Sequence, residues 1–371
     1  MPNPSTTVPA NRAMEMLSQL LLARFPEQEN AAQIDSSDVW GDGAIRREDF
    51  DEIVALASTN HVIMRVLRIL TARLRATGDL VCAAWAEEAL EKEHARIRNA
   101  MAHLRAICSA LVEEGHDVTV IKSLDHWPDL GSDLDLYTNA ESAAIIGLMG
   151  RRLQARLAPR SWGDRLARKW NFLIPGLPEA VEVHVGRLGQ TGEQCTLAAG
   201  VPGRARMVEI DGESFRVPSP SDRLMISTLQ RMYRHFYFRL CDIVDSAQLV
   251  ESGSIDYGDL RDSAERAGIW EGVATYLAIV SDYVERYRGS GLDLPLVVRA
   301  DARFGGERIR FARAFLRVPI LPESAGLYGT QLAGLLRRRE VRSSARLSLL
   351  PWLAVAASAG QKITGSDKGI W

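Results

Sequence analysis

The period of the apolar residues changes twice along this chain, and those two changes limit what it can fold into. Up to Gly115 apolar residues recur every three or four positions. Arg12–Arg24, Arg47–Ser58 and His61–Thr77 each read as amphipathic helices, and Leu90, Ile97, Met101, Leu104, Cys108 and Leu111 share one face of a longer one. Gly115 stands where such a helix stops. The stretch Asp117–Lys122 (DVTVIK) is then short and β-branched, as a strand is, and Ser132–Thr138 (SDLDLYT) alternates polar with apolar. Asn139–Leu157 reads as a helix capped by Asn139. Trp170–Ile174 and Val181–Val185 read as two further strands. Met207–Ile210 and Ser214–Val217 flank Asp211-Gly212, a strong hairpin signal. After Ser219 the helical period returns. Pro220 and Asp222 suit the first turn of a helix expected to run to about Val250. Asp256–Ala267 and Trp270–Tyr287 are expected to be helices too, and the Arg-rich remainder is read as helical.

These changes predict three regions: helices over residues 1–115, a mixed sheet with one crossover helix over 116–218, and helices over 219–371. The fold class is α/β in the α+β sense, a mixed sheet core with helical regions on both sides. Composition agrees with a soluble chain that buries a core, being 46% hydrophobic and 25% charged over 371 residues. Lys and Arg number 45 against 47 Asp and Glu, leaving a net charge of −2. No global field favours long nucleic acid or an acidic membrane. The N-terminus lacks the basic-then-apolar pattern of a secretory signal. Leu347–Gly360 is apolar but falls short of the ~20 residues that span a bilayer, so a buried or interfacial helix is expected there. Cys82, Cys108, Cys195 and Cys241 are isolated in sequence, which points to reduced thiols in a cytoplasmic protein rather than a disulfide framework.

Asp133 and Asp135 lie two apart in an alternating strand, so their carboxylates share a face about 7 Å apart at the Cα. Two close carboxylates repel unless a cation lies between them, and hard divalent ions suit such oxygen ligands. An ordinary solvated strand face is the other reading. Glu182 and His184 likewise share one face of Val181–Val185. Glu182 could add a third carboxylate, while His184 alone is read as structural or as part of a pocket lining. Lys122-Ser123 ends the preceding strand, where a small residue lets backbone N–H groups approach phosphate and a lysine adds a point charge. Arg151, Arg152, Arg156, Arg160, Arg165, Arg168 and Lys169 crowd a short region that reads either as a solvated face or as a basic rim. The run Arg231–Arg239 mixes bases with aromatics. As a helix it would put Arg231, Arg234 and His235 near one side, as a pocket lining or as the charged ends of a packed face. Asp245, inside an apolar helix, is expected to be a buried acid paired with Arg or His.

Taken together, Ile121-Lys122-Ser123, a gap of nine residues, Asp133-Leu134-Asp135-Leu136 and the later Glu182 resemble the nucleotidyltransferase superfamily of the DNA polymerase β type. Lys122 stands where that family usually has Gly. One standalone bacterial branch of the superfamily is similar over more of the chain, from about residue 48 to 270. Its "LKG", "SDIDL", "(D/E)-L-H-W" and "vDia.L" stretches are matched by Val120–Ser123, Ser132–Leu136, Val181–Val185 and Ile243–Leu249, and its "idW..ll..A...G" helix by Ile255–Gly268. This sequence has Asp129-Leu130-Gly131 where the branch often has an Arg before "SDIDL", and Val185 where it tends to have Trp.

The resemblance implies a nucleotidyltransferase-type sheet and a metal-dependent transfer of NMP from an NTP to an acceptor, with pyrophosphate released. ATP is the first candidate nucleotide, and a small molecule, a peptide or protein, or an RNA end the acceptor. It implies Asp133, Asp135 and Glu182 as catalytic ligands for Mg²⁺ or Mn²⁺, and Lys122, Ser123 and Ser132 as nucleotide contacts. A non-catalytic nucleotide-binding or partner-binding scaffold on the same fold is the alternative. A phosphohydrolase or kinase is a further one, without the GxxxxGK[ST], HRD or DFG motifs that would support it.

Overall fold

Amphipathic spacing before Gly115 does form helices. The computed structural model describes residues 10–23, 46–188, 195–349 and 351–352. Among them the N-terminal stretch forms α1 (Ala10–Leu22), α2 (Arg47–Thr59), α3 (Ile63–Thr77) and α4 (Leu80–Glu113). In α3 the buried Ile63, Val66, Leu67, Leu70 and Leu74 follow the three-and-four spacing, and Gly78 at φ +80° closes the helix. Asp79 opens α4 by accepting a hydrogen bond from the Cys82 backbone.

The sheet region consists of β1 (Thr119–Val120), β2 (Asp133–Thr138), α5 (Ser142–Leu153), β3 (Arg156–Leu157), α6 (Trp162–Leu166), β4 (Lys169–Leu173) and β5 (Ala180–Val185). Five strands lie in the order β1-β2-β5-β4-β3. The β2–β5 pair is parallel, whereas β1–β2, β4–β5 and β3–β4 are antiparallel, so the sheet is mixed and the fold α+β. Strand alternation divides the sheet chemically. Leu134, Leu136, Val181 and Val183 are buried with α4 and α5, and Asp133, Asp135, Glu182 and His184 occupy the opposite face. Next come α7 (Cys195–Arg204) and the hairpin β6 (Arg206–Ile210) and β7 (Glu213–Val217). Asp211 and Gly212 turn it with φ of +50° and +78°.

Several boundaries differ from expectation. The first strand is confined to Thr119–Val120, because Lys122 leaves the extended region at φ +62°. Asn139 is not a cap: α5 begins at Ser142 after Glu141, with no side-chain cap. It ends at Gln154 in the left-handed region, so Leu157 belongs to β3 rather than to the helix.

The expected helix from Pro220 to about Val250 is broken in two. After α8 (Pro220–Gln230) the chain makes a wide π-type turn over Arg231–His235 and reverses at Phe236 (φ +53°). It then adds β8 (Tyr237–Phe238) before α9 (Leu240–Glu251) begins. The cause lies far along the chain. Beyond α10 (Tyr257–Ala267), α11 (Trp270–Arg288) and α12 (Leu296–Asp301), the segment read as helical contains β9 (Arg310–Ala312) and β10 (Phe315–Arg317). β10 pairs with both β9 and β8, and Tyr237 stacks on Phe315 at 4.3 Å. Helix returns in α13 (Ala325–Arg337). The apolar stretch from Leu347 lies outside the described residues except for 347–349 and 351–352.

Two hydrophobic cores result. One joins α5 and the later turns of α4, from Ile97, to the sheet; the other joins α1–α3 and the first turns of α4 to α8–α12 and β10. Arg65 of α3 helps tie the two together. It contacts Asp129, in the loop before β2, at 2.6 Å and Asp245 of α9 at 2.7 Å. Asp245 also accepts from His126 Nδ1 at 2.5 Å, the buried Arg and His pairing expected of it. No helix among the described residues is long and apolar enough to cross a membrane.

Candidate functional site

The parallel register of β2 and β5 sets Asp135 directly beside Glu182, with Asp133 two residues upstream opposite Ala180. All three carboxylates line one cavity of about 280 Å³, near the low end for small-molecule sites. Lys122, Ser123, Ser132, Arg231 and His235 line it as well. Arg234 does not. It donates to the Leu188 carbonyl at 3.3 Å, because the wide turn after Gln230 separates it from Arg231 and His235. A larger cavity of about 560 Å³ beside α1 and α11 lies away from these residues.

The turn below the acids is built around Lys122. Ser123 N–H donates to the Ile121 carbonyl at 2.6 Å, and Lys122 has φ +62° and ψ −54°. These are the features of a γ-turn of the rare, strained hand. Ser123 ties this turn to β2. Its hydroxyl accepts from Asp135 N–H at 2.7 Å and donates to the Asp133 carbonyl at 3.3 Å. Both polar groups of Ser123 are thus engaged in holding the turn. Ser132 Oγ donates to Asp133 at 3.3 Å.

The strained turn aims Lys122 Nζ at Asp135 Oδ1, with which it pairs. Burial alone would raise the Asp135 carboxyl, but the Lys122 ammonium and the His184 hydrogen bond hold it well below the usual carboxylate range. Glu182 pairs with Lys169 at 2.8 Å, and Lys169 also reaches Asp164 at 3.1 Å. Burial, reinforced by the Asp135 charge, nevertheless pushes the Glu182 carboxyl up. Burial, with the Asp135 charge next, raises Asp133 as well. His184 Nε2 meets Asp135 Oδ1 at 3.2 Å, and burial pulls its ring down to about 4, so the ring is neutral near pH 7. His184 Nδ1 is buried without a hydrogen-bond partner.

Ligand atoms of Asp135, Glu182 and His184 lie within 4.8 Å of one another, as a metal site requires. The carboxylate oxygens of Asp133, Asp135 and Glu182 fit a hard divalent ion by donor type. Lys122 and Lys169 neutralise Asp135 and Glu182 here, and Asp164 holds Lys169 from its other side.

The rest of the cavity lining includes basic and aromatic residues. Buried Arg231 pairs with Asp242 at 2.7 Å, and Tyr237 and Arg239 stand beside it. Lys169, expected only as part of a basic rim, and Tyr237 and Arg239, from the mixed basic and aromatic run, also line the cavity, as do His61 and His126, which the sequence does not single out. Lys169 had a legible signal, because Lys169 and Asn171 alternate with apolar residues on a strand that pairs with β5. The two histidines had none, since each stands alone in its segment. Within the basic crowd, Arg160 stacks over Trp170 at 3.6 Å, and Arg151 and Arg152 pair with Glu114 and Glu113 near the end of α4. Comparison with known proteins adds no assignment: no protein-family model, no curated protein and no solved structure matches the chain.

Proposed function

We propose that the chain is a metal-dependent nucleotidyltransferase that moves NMP from an NTP, ATP first among them, to an acceptor hydroxyl or phosphate. The carrying observation is the β2–β5 register, which brings Asp133, Asp135 and Glu182 to one cavity beside Lys122. In this reading the three acids hold Mg²⁺ or Mn²⁺, which supplies charge neutralisation at the reacting phosphate. Lys122 and Ser132 contact the β- and γ-phosphates, and Ser123 shapes the turn from beneath. Arg239 adds a cation to the lining, where Arg231 is already paired with Asp242 and Tyr237 stacks on Phe315. The acceptor oxygen attacks the α-phosphorus, the bond to the bridging oxygen breaks, and pyrophosphate leaves. Glu182 helps to deprotonate the acceptor hydroxyl as it attacks. The acceptor class stays open among small molecules, peptides or proteins, and RNA ends. Free thiols at Cys82, Cys108 and Cys241 are consistent with a reducing cytoplasm as its compartment.

The test combines each NTP with Mg²⁺ or Mn²⁺ and pools of acceptors, reading pyrophosphate release and acceptor mass. Asp133→Asn should lower turnover at least ~100-fold with the fold intact, the scale of a lost electrostatic contact to the reacting group. Undiminished rates in that variant would overturn the assignment. One observation favours a second reading, a nucleotide-binding scaffold without turnover: Lys122 and Lys169 already satisfy Asp135 and Glu182 without an ion. Metal-independent NTP binding with no pyrophosphate release would decide for it.

A further inference from the structure

At the same cavity, which His61 and His126 line, His61, His126 and Cys241 place three ligand atoms within 4.8 Å of one another. We propose that they form a zinc(II) site, separate from the carboxylate site, whose fourth position is supplied from the cavity. The thiolate separates the two: it suits zinc and is foreign to Mg²⁺, whereas the acids offer the oxygen ligands that Mg²⁺ prefers. Cys241 Sγ lies 3.8 Å from His126 Nε2. Tetrahedral zinc with ordinary Zn–S and Zn–N bonds needs about 3.6 Å between those atoms.

The surroundings already hold each residue for this task. His126 turns Nε2 toward Cys241 and directs Nδ1 to the Asp245 carboxylate, the outer contact that orients a metal-binding imidazole. His61, at φ +53°, is fixed against the start of α9 by its neighbour Asn60. Asn60 accepts from Leu240 N–H at its side chain and from Cys241 N–H at its carbonyl, at 3.1 and 3.2 Å. His61 Nδ1 is buried without a hydrogen-bond partner. Cys241 is fully buried, but His61 and His126 line the cavity and give an ion its way in. Arg231 and Arg239 also line that cavity and oppose a cation. The Cys241 thiolate brings a negative charge to the ion, and Asp245, which Arg65 also holds, orients His126 from behind. The proposal does not depend on nucleotidyl transfer, because it uses none of the three acids.

The test uses the full chain, loaded with Zn²⁺ alone, desalted and analysed for metal. One zinc per chain is expected. Replacement by Co²⁺ should add a thiolate-to-cobalt absorption in the near ultraviolet. Cys241→Ser should lose that absorption and bind zinc at least ~10-fold more weakly, and Asp245→Asn should weaken zinc by about 10–100-fold. Asp135→Asn should leave both readouts unchanged. Absence of zinc, a cobalt spectrum without the thiolate band, or zinc lost in Asp135→Asn but kept in Cys241→Ser would each overturn the proposal. The cobalt spectrum of the unaltered chain decides even if a variant does not fold.

Discussion

Lys122 meets two opposed demands at one position. Its backbone is in a γ-turn that costs a side-chain-bearing residue about 1–3 kcal/mol, yet its ammonium neutralises the buried Asp135. Removing one partner of a buried ion pair costs about 3–5 kcal/mol. The second effect is larger, so Lys122→Gly should lower unfolding stability by about 2 kcal/mol, read from urea midpoints, despite easing the turn. The same change should tighten Mg²⁺ binding in calorimetry without nucleotide, because no ammonium then competes for Asp135. Unchanged Mg²⁺ affinity would mean that the ion does not bind at Asp135. At this scale the sequence is legible where alternation alone decides direction: Asp133, Asp135, Glu182 and His184 follow from period two. The pairing of Asp245 follows from the rule that buried charges find partners. The direction of Lys122 was not legible, since a positive φ favours Gly and a lysine gives no sign of it.

Among the elements, β2 and β5 were readable because each alternates cleanly between a buried apolar face and a polar one. The break between α8 and α9 was not. Arg231–Arg239 carries aromatics at positions that satisfy a helix face or a short strand equally, and the partner that decides is β10, distant in sequence. β8 is only two residues long, so its anchor has to be a side chain. Phe238 is fully buried and packs on Tyr276 at 5.0 Å between ring centres. Phe238→Ala should cost about 3–5 kcal/mol by the loss of that packing. It should also weaken nucleotide binding, because Tyr237 and Arg239 flank it on the cavity wall. Calorimetric titration with ATP and Mg²⁺ beside a urea melt reads both effects; loss of stability with full affinity would mean that this wall does not touch the nucleotide.

For the molecule as a whole, the expected regions 1–115, 116–218 and 219–371 follow the changes of period, but the cores do not follow chain order. Helices α1–α3 and the start of α4 (Cys82, Ala83, Ala86) pack with α8–α12, while α4 from Ile97 onward packs with the sheet. Periodicity tells which face of a helix is apolar and leaves its partner undetermined, so this crossing was not legible. Arg65 shows what the crossing rests on, since it joins α3 to Asp129 and to Asp245, and Asp129 is wholly buried. Arg65→Met keeps much of the volume and removes the charge. It should destabilise the chain by about 3–5 kcal/mol in thermal or urea melts, and a loss under ~1 kcal/mol would show that solvent takes the arginine's place. The crossing also bears on when the cavity can exist during synthesis. Its floor comes from residues 122–182, but Asn60 bonds to Leu240, Cys241 and the Ala314 carbonyl, and β8 waits for Leu316 and Arg317. A chain emerging from the ribosome therefore carries its acids long before the rest of the cavity lining, and the cavity is complete only after most of the polypeptide has been made.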